Sequence, residues 1–207
     1  MRERDTNTEK VTLAAAEQVF LDKGYAGAKT TEIAKIAGVN HAMLHYYFRT
    51  KENLFNKVFE EKATLLANSF MSAFEDNCSL EDKIRTSIGR HFDFLVENPK
   101  LAMFIISEVL VNKERKEKFK RMIVPKLLAL YANVQNAIDE EVKKGRIKQV
   151  SVVDVILNVV SLNVFTLIAT QVVSEDECKS LMEGGMKEFL IHRRENNINV
   201  VIKSLGL

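Results

Sequence analysis

Residues 30–48 read TTEIAKIAGVNHAMLHYYF, and no other stretch limits the fold so narrowly. The spacing predicts two short helices, 31–37 and 41–48, joined by Gly38-Val39-Asn40. Two short helices that cross closely need a small residue on the first, and Ala34 supplies it. The corner between them needs a residue that tolerates left-handed dihedrals, and Gly38 follows four positions later. The second helix must bury one stripe and expose the opposite one. Leu44 and Phe48, at i and i+4 with Tyr47 beside them, form the expected buried stripe. Ile33, Ile36 and Val39 are the expected partner surface, and Asn40 is suited to cap the second helix. These are the steric requirements of a helix-turn-helix.

The outward face carries the chemistry. At about 100° per residue, Ala42 and Tyr46 point away from Leu44, flanked by Met43, His45 and Arg49. His41 falls in the first turn, where a recognition helix reaches base edges. From Lys35 to Lys51 there is no acidic residue, and the same window holds Lys35, Arg49, Lys51 and two of the four histidines. Whole-chain charge is only +2, from 30 basic and 28 acidic residues, so the basic signal is local. A local acid-free surface is what phosphate binding needs.

Residues 10–55 resemble the N-terminal DNA-binding domain of TetR-family transcriptional regulators. The resemblance rests on Phe20, Gly24-Tyr25, Thr30-Thr31, Ile33-Ala34, Ala37-Gly38-Val39, Leu44, Tyr46, Phe48, Lys51-Glu52 and Leu54. It implies that Thr30 caps the first helix of the pair and touches phosphate, with Thr31 beside it. It implies that Asn40 caps the recognition helix and His41 contacts bases. Ala42 stands where a glycine is common, still small enough for close approach to the groove. Met43 takes a variable base-facing place and can meet a thymine methyl. His45 and Tyr46 stand in place of the usual aromatic pair, Tyr47 in place of the usual histidine, and Lys51 matches the lysine that pins the DNA backbone. The expected DNA-binding set is therefore Thr30, Thr31, Asn40, His41, Ala42, Met43, His45, Tyr46, Tyr47 and Lys51.

The rest of the chain reads as helix. It has only eight glycines and two prolines in 207 residues, well below the averages of roughly 7% and 5%. Helical spacing is expected over 8–23, from 51 onward, from about Ser79 to Glu97, after Pro99, and up to Lys144 before Gly145. Pro125 is expected to kink or divide its helix. Two further helices are expected at 151–173 and 175–205, with an interruption at Gly184-Gly185 or at Asn196-Asn197. No convincing alternating strand is present. The expected fold class is all-α, about nine helices: a three-helix N-terminal helix-turn-helix domain, residues 1–55, followed by a larger helical effector-binding and dimerisation domain, residues 56–207.

A single helix-turn-helix contacts too few base pairs for specificity in a genome, so a two-fold dimer on a palindromic operator is expected. By the resemblance, the pairing surface is the helices near 151–173 and 175–205. A small-molecule effector is expected in the C-terminal domain, with Phe92, Phe94, Met103, Phe104, Met122, Tyr131, Asn158, Asn163 and Phe165 as candidate lining residues and helix 51–74 as the hinge. The implied protein is a repressor that leaves its operator when the effector binds. The competing reading is a helical ligand-binding or scaffold protein whose helix-turn-helix is vestigial.

Other chemistries find little support. Cys78 and Cys178 are isolated, with no CxxC. His41 and His45 have a spacing that suits two metal ligands, yet no glutamate of a zincin motif lies between them and no third ligand is evident. GYAGAKT at 24–30 lacks the Gly-Lys pair of a phosphate loop. No enzymatic motif is found, and neither catalysis, a cofactor nor a bound metal is expected. The basic run 113–121 is interrupted by Glu114 and Glu117 and reads as a solvated helix face. Residues 152–173 are the longest apolar stretch, but seven polar residues there favour a buried helix over a membrane span. The N-terminus lacks the apolar core of a secretory signal, and a cytoplasmic location is expected.

Overall fold

The computed structural model describes residues 2–71 and 78–207. Among these residues it contains ten α-helices and no strand: α1 (Arg2–Gly27), α2 (Thr30–Ala37), α3 (His41–Phe48), α4 (Lys51–Met71), α5 (Leu80–Glu97), α6 (Pro99–Val111), α7 (Lys113–Lys143), α8 (Val152–Val172), α9 (Glu175–Leu181) and α10 (Gly185–Leu205). Helices occupy the expected places, and the fold is all-α. Residues 72–74 of the expected hinge helix lie outside the described residues.

The chain forms two compact units, Met1–Leu65 with Lys100–Arg121, and Leu66–Pro99 with Met122–Leu207. Packing thus divides the chain differently from the simple cut at residue 55. Most of α6 and the start of α7 belong with the helix-turn-helix, and α4 and α7 each contribute to both units.

The first unit is organised by aromatic rings. Phe55 meets Phe20 edge-on at 4.9 Å and Tyr25 at 5.1 Å, and it also touches Phe59 and Phe104. Burial of such rings contributes more than any local propensity here, since each removes some 150–250 Å² from water. Gly24, at φ 64°, interrupts α1 after Lys23 and turns Tyr25 into this cluster.

The second unit is built from one stripe on each of four helices. Ile84 and Ile88 of α5, Leu130, Val134 and Ile138 of α7, Val155 and Val159 of α8, and Ile198, Val201 and Ile202 of α10 form one core. The i, i+4 repeat keeps each stripe on one helix face. Serines start three of the helices as N-caps, Ser79 for α5, Ser151 for α8 and Ser174 for α9, the last with Glu177 in a capping box.

Pro125 lies inside α7 and does not divide it. Both Pro125 and Arg121 are exposed, so water can satisfy the carbonyl that the missing N–H leaves free. Of the two places expected for the interruption before the last helix, the break falls at the first, residues 182–184 up to Gly185, while Asn196-Asn197 is continuous helix. Ile36 faces solvent instead of packing against α3, because the buried arc of α2 is centred on Ile33 and Ala34.

Helix α8 is the one helix among the described residues long and apolar enough to cross a membrane. One face, with Val152, Val155, Val159 and Leu167, lies in the core of the second unit. The other, with Val153, Leu157, Phe165, Ile168 and Val172, is exposed.

Candidate DNA-binding site

The corner between α2 and α3 is fixed by backbone chemistry. Gly38 adopts φ 66°, ψ 26°, and its neighbour's N–H closes the helix end by donating from Val39 to Ala34 O at 3.0 Å. A Cβ at Gly38 would meet nothing within 4 Å; only the left-handed dihedral demands glycine there. Asn40 is the N-cap of α3, its Oδ1 accepting from the Ala42 N–H at 3.0 Å. Leu44 and Phe48 are buried, so α3 is held by the stripe that the spacing predicts.

The opposite face is open. Ala42, Met43, His45 and Tyr46 are exposed, Tyr46 at 75%. A large aromatic standing in water costs free energy unless a partner covers it. Thr31 is also exposed, whereas Thr30, His41, Tyr47 and Lys51 are half-buried.

Several expected contact residues are already engaged within the protein. Thr30 does not cap α2: Lys29 holds the N-cap position without a side-chain bond, and the Thr30 hydroxyl pairs with His41 Nε2 at 3.0 Å. This bond ties the start of α2 to the start of α3. The His45 ring lies 4.7 Å from that of His41. Its Nδ1 sits 2.9 Å from the Arg49 carbonyl, and since a carbonyl only accepts, Nδ1 carries the proton. Among the described residues no group of three or more His, Cys, Asp or Glu side chains could hold a metal. Lys51 Nζ lies 4.5 Å over the Tyr25 ring.

Two features were missed in the sequence. The first is the connection from α3 to α4. Arg49 has φ 61°, ψ −49°, and the Thr50 N–H donates to Phe48 O at 2.6 Å, closing a three-residue γ-turn of the strained, positive-φ kind. The Arg49 N–H donates to His45 O, and His45 donates back to Arg49 O. Thr50 then caps α4 by accepting from the Asn53 N–H. Tyr47, Arg49, Asn53 and Lys57 line a cleft at this end of α3, with Lys57 paired to Glu9.

The second is a buried ion pair under the unit. Arg115, inside the run expected to be solvated, is only 5% exposed. Its Nη1 donates to Glu108 Oε2 at 2.5 Å, and its guanidinium lies 4.3 Å from the Tyr25 ring and 4.1 Å from that of Phe55. Glu108 also accepts from the Tyr25 N–H at 3.2 Å, and Arg115 reaches Glu52 at 3.4 Å. The Glu52 carboxylate, hydrogen-bonded to the Tyr25 phenol, raises its pKa, with burial acting in the same direction. Glu114 and Glu117 do pair along the helix, with Lys118 and Lys120. A charge run shows no sign of which member points inward.

The sequence from 13 to 58 matches the family model for bacterial regulatory proteins of the tetR family. This span covers the two-helix corner, the open face of α3 and the start of α4. Over this segment the chain is similar to the tetR family of bacterial regulatory proteins, and its helix-turn-helix is that of a DNA-binding transcriptional regulator. The fatty acid metabolism regulator protein of Bacillus subtilis is 26% identical over 136 residues, 65% of this chain and 68% of that protein. The transcriptional activator FasR of Mycolicibacterium smegmatis is 31% identical over 83 residues, 40% of this chain and 38% of its own. The structure of FadR from Bacillus subtilis in complex with stearoyl-CoA shares the fold, with a TM-score of 0.64 over 93% of this chain and 97% of that one, at 19% identity. These relatives are regulators from bacteria, not enzymes.

The nine residues expected to line an effector cavity do not converge. Met103 and Phe104 belong to the first unit, where Phe104 packs on Phe55 and Phe59. In the second unit Tyr131, Asn158 and Phe165 are exposed, Phe94 and Met122 are half-buried, and Phe92 and Asn163 are buried. Asn163 belongs to a polar chain: its amide bonds His91 Nδ1 at 3.0 Å and Ile88 O at 3.1 Å, and it accepts from Asn197 at 3.0 Å. Burial holds His91 neutral, its pKa lowered to about 3. The second unit does contain an apolar cavity of about 40 Å³, walled by Ile84, Ile88, Leu130, Val134, Val155 and Val159, and none of the nine lines it.

Proposed function

We propose that this TetR-family regulator binds a palindromic operator as a homodimer and represses transcription until a small-molecule effector in its C-terminal domain releases it. The observation that carries the DNA-binding part is the face of α3: acid-free, exposed at Ala42, Met43 and Tyr46, and held rigidly by Asn40, Leu44 and Phe48 from behind. In this reading Met43 and Tyr46 meet base edges, His41 and His45 hold α3 in register while their free ring edges face the groove, and Thr30, Thr31, Tyr47 and Lys51 serve phosphates. Residues 1–55 form the DNA-binding domain and 56–207 the effector and dimerisation domain, and the protein acts in the cytoplasm, where its operator is.

The uncovered face of α8 supports pairing. Val153, Leu157, Phe165, Ile168 and Val172 make an apolar stripe along the helix, Phe165 being 71% exposed. A second copy of the same stripe covers it, with α9 and α10 beside it, in an isologous interface. The stearoyl-CoA complex of FadR and the fatty-acid naming of the 26%-identical relative support an effector with a long hydrocarbon part. Release is then a population shift, and it requires that the effector bind one subunit arrangement more tightly than the other.

The test is fluorescence anisotropy on the promoter DNA of the protein's own gene. Wild type is expected to bind with a steep salt dependence and a two-fold-symmetric footprint. Replacing His41 and Tyr46 together by alanine is expected to remove specific binding. Full specific binding by that double variant overturns the assignment of the site.

A further inference from the structure

A cleft of about 390 Å³ opens where the early part of α1, the end of α3 and the first turns of α4 meet, lined by Glu9, Tyr47, Phe48, Arg49, Asn53 and Lys57. Its two cations are held in different ways. Lys57 lies 5.8 Å over the buried Phe48 ring and pairs with Glu9. That pair is half open to water, with side chains 44% and 37% exposed. A pair of this kind contributes little to folding, so another anion can readily replace its carboxylate. Arg49 stands at φ 61° in the tight turn after α3, a dihedral that glycine adopts with less strain. Among the described residues its side chain has no carboxylate partner. The cleft adjoins the outward face of α3, because the Tyr47 ring in its wall meets that of Tyr46 edge-on at 5.2 Å. The major groove of B-DNA is about 12 Å wide and bordered by phosphates. A recognition helix inserted by Met43 and Tyr46 therefore brings its own end, and the cleft beside it, against one flanking backbone.

We propose that this cleft takes one phosphate of the DNA backbone, held by Lys57 and Arg49, and that the Glu9 carboxylate occupies the phosphate's place until DNA arrives. The proposal rests on the DNA-binding reading above and adds to it residues outside the two-helix corner. Glu9, Arg49 and Lys57 together carry a formal charge of +1, so with the carboxylate displaced two cations face the phosphate. At Lys57 one oxyanion leaves and another enters, and no proton moves. The duplex wins the exchange because neutralising its phosphates releases condensed counterions. Without DNA, Glu9 neutralises Lys57. Glu9 thereby lowers the affinity for every duplex by the free energy of its own ion pair. Phosphate contacts carry no sequence information, so the ratio of specific to non-specific binding is left unchanged. The carboxylate is an autoinhibitory contact that tunes grip and not sequence choice.

Fluorescence anisotropy of the full chain over a range of salt tests this, on the promoter DNA of its own gene and on an unrelated duplex of equal length. Lys57→Gln is expected to weaken binding roughly 5- to 10-fold near 0.1 M salt on both duplexes and to lower the salt slope by about 1. Glu9→Gln is expected to tighten binding about 2- to 5-fold on both, a gain that misfolding cannot produce. Glu17→Gln is the control, since Glu17 pairs with Lys62 between the same two helices but outside the cleft. It removes the same charge and is expected to gain less. An equal gain from Glu17→Gln, or a gain from Glu9→Gln that persists in full beside Lys57→Gln, overturns the part given to Glu9. An unchanged salt slope in Lys57→Gln overturns the phosphate site. The two duplexes separate this site from the reading it rests on. Promoter preference in wild type, with neither variant altering affinity for either duplex, refutes the site and keeps the reading. No preference in wild type, with both variants behaving as described on both duplexes, keeps the site and refutes sequence-specific recognition. Binding to neither duplex refutes both.

Discussion

The Glu108–Arg115 pair is where the greatest single loss of stability is expected in the first unit. Arg115→Met keeps most of the side-chain length and removes the charge. Three things go with it: the 2.5 Å bond to Glu108, the weaker one to Glu52, and the placement of a guanidinium between the Tyr25 and Phe55 rings. Glu108, whose side chain is 12% exposed, is left charged with the Tyr25 N–H as its remaining donor among these contacts. Stranding a buried charge in this way costs about 3–5 kcal/mol. Glu108→Gln is milder, because the amide oxygen still accepts from Tyr25 and Arg115 retains Glu52; about 1–3 kcal/mol is expected. The double variant strands nothing, so its cost should fall short of the sum of the singles by about 2 kcal/mol or more.

Urea unfolding measures all three. The chain has no tryptophan and four tyrosines, three of which (Tyr25, Tyr46, Tyr47) lie in the first unit. Tyrosine fluorescence therefore reports mainly on that unit, while circular dichroism reports on every helix. The fluorescence transition should move to lower urea in Arg115→Met, and operator affinity should fall with it, since Arg115 braces the Gly24-Tyr25 corner against Phe55. A cost below about 1 kcal/mol for Arg115→Met, or strict additivity in the double variant, would refute the argument.

Three other perturbations have defined outcomes. His91 is buried neutral with a pKa near 3, below its unfolded value of about 6.5. The unfolded chain therefore binds a proton that the folded chain refuses, and stability should decline by up to about 1.4 kcal/mol per pH unit as pH falls from 6.5 toward 3. His91→Gln should flatten that slope, and an unchanged pH profile would count against the burial argument. Arg49→Gly relieves the positive-φ turn and should raise stability by about 1 kcal/mol after the added unfolded-state entropy. It should also lower the salt slope of DNA binding by about 1 if the side chain meets a phosphate; a fall in Tm would show the turn is unstrained. Phe165→Glu puts a charge into the exposed stripe of α8, and sedimentation velocity should then find monomers. A dimer that survives it would place pairing elsewhere.

What the sequence disclosed and what it hid follow one physical division. Gly38, Asn40, Leu44 and Phe48 were legible because their roles are local: a left-handed dihedral, a cap two residues away, a stripe at i, i+4. The placing of α2 and α3 follows from such rules alone. Arg115 was illegible for the opposite reason. Its partners stand 7, 63 and 90 positions away, at Glu108, Glu52 and Tyr25, and nothing within the run KERKEKFKR distinguishes it from its solvated neighbours. The scatter of the candidate effector residues has a similar cause. Aromatic side chains were chosen for size, but large rings are what a close-packed interior fills first, as Phe104 does against Phe55 and Phe59. Space is left where branched aliphatics on three rigid helices cannot interdigitate completely, around Ile88, Val134 and Val159. Even His45 divides this way. Its position on the outward face was legible, but its bond to Arg49 depends on a γ-turn with no residue signature, because arginine is not what that dihedral prefers. A side chain on the open face of α3 that at the same time fastens the turn beneath it cannot be replaced without altering both. Loss of affinity in a His45 variant therefore measures the geometry of α3 as much as any contact with a base.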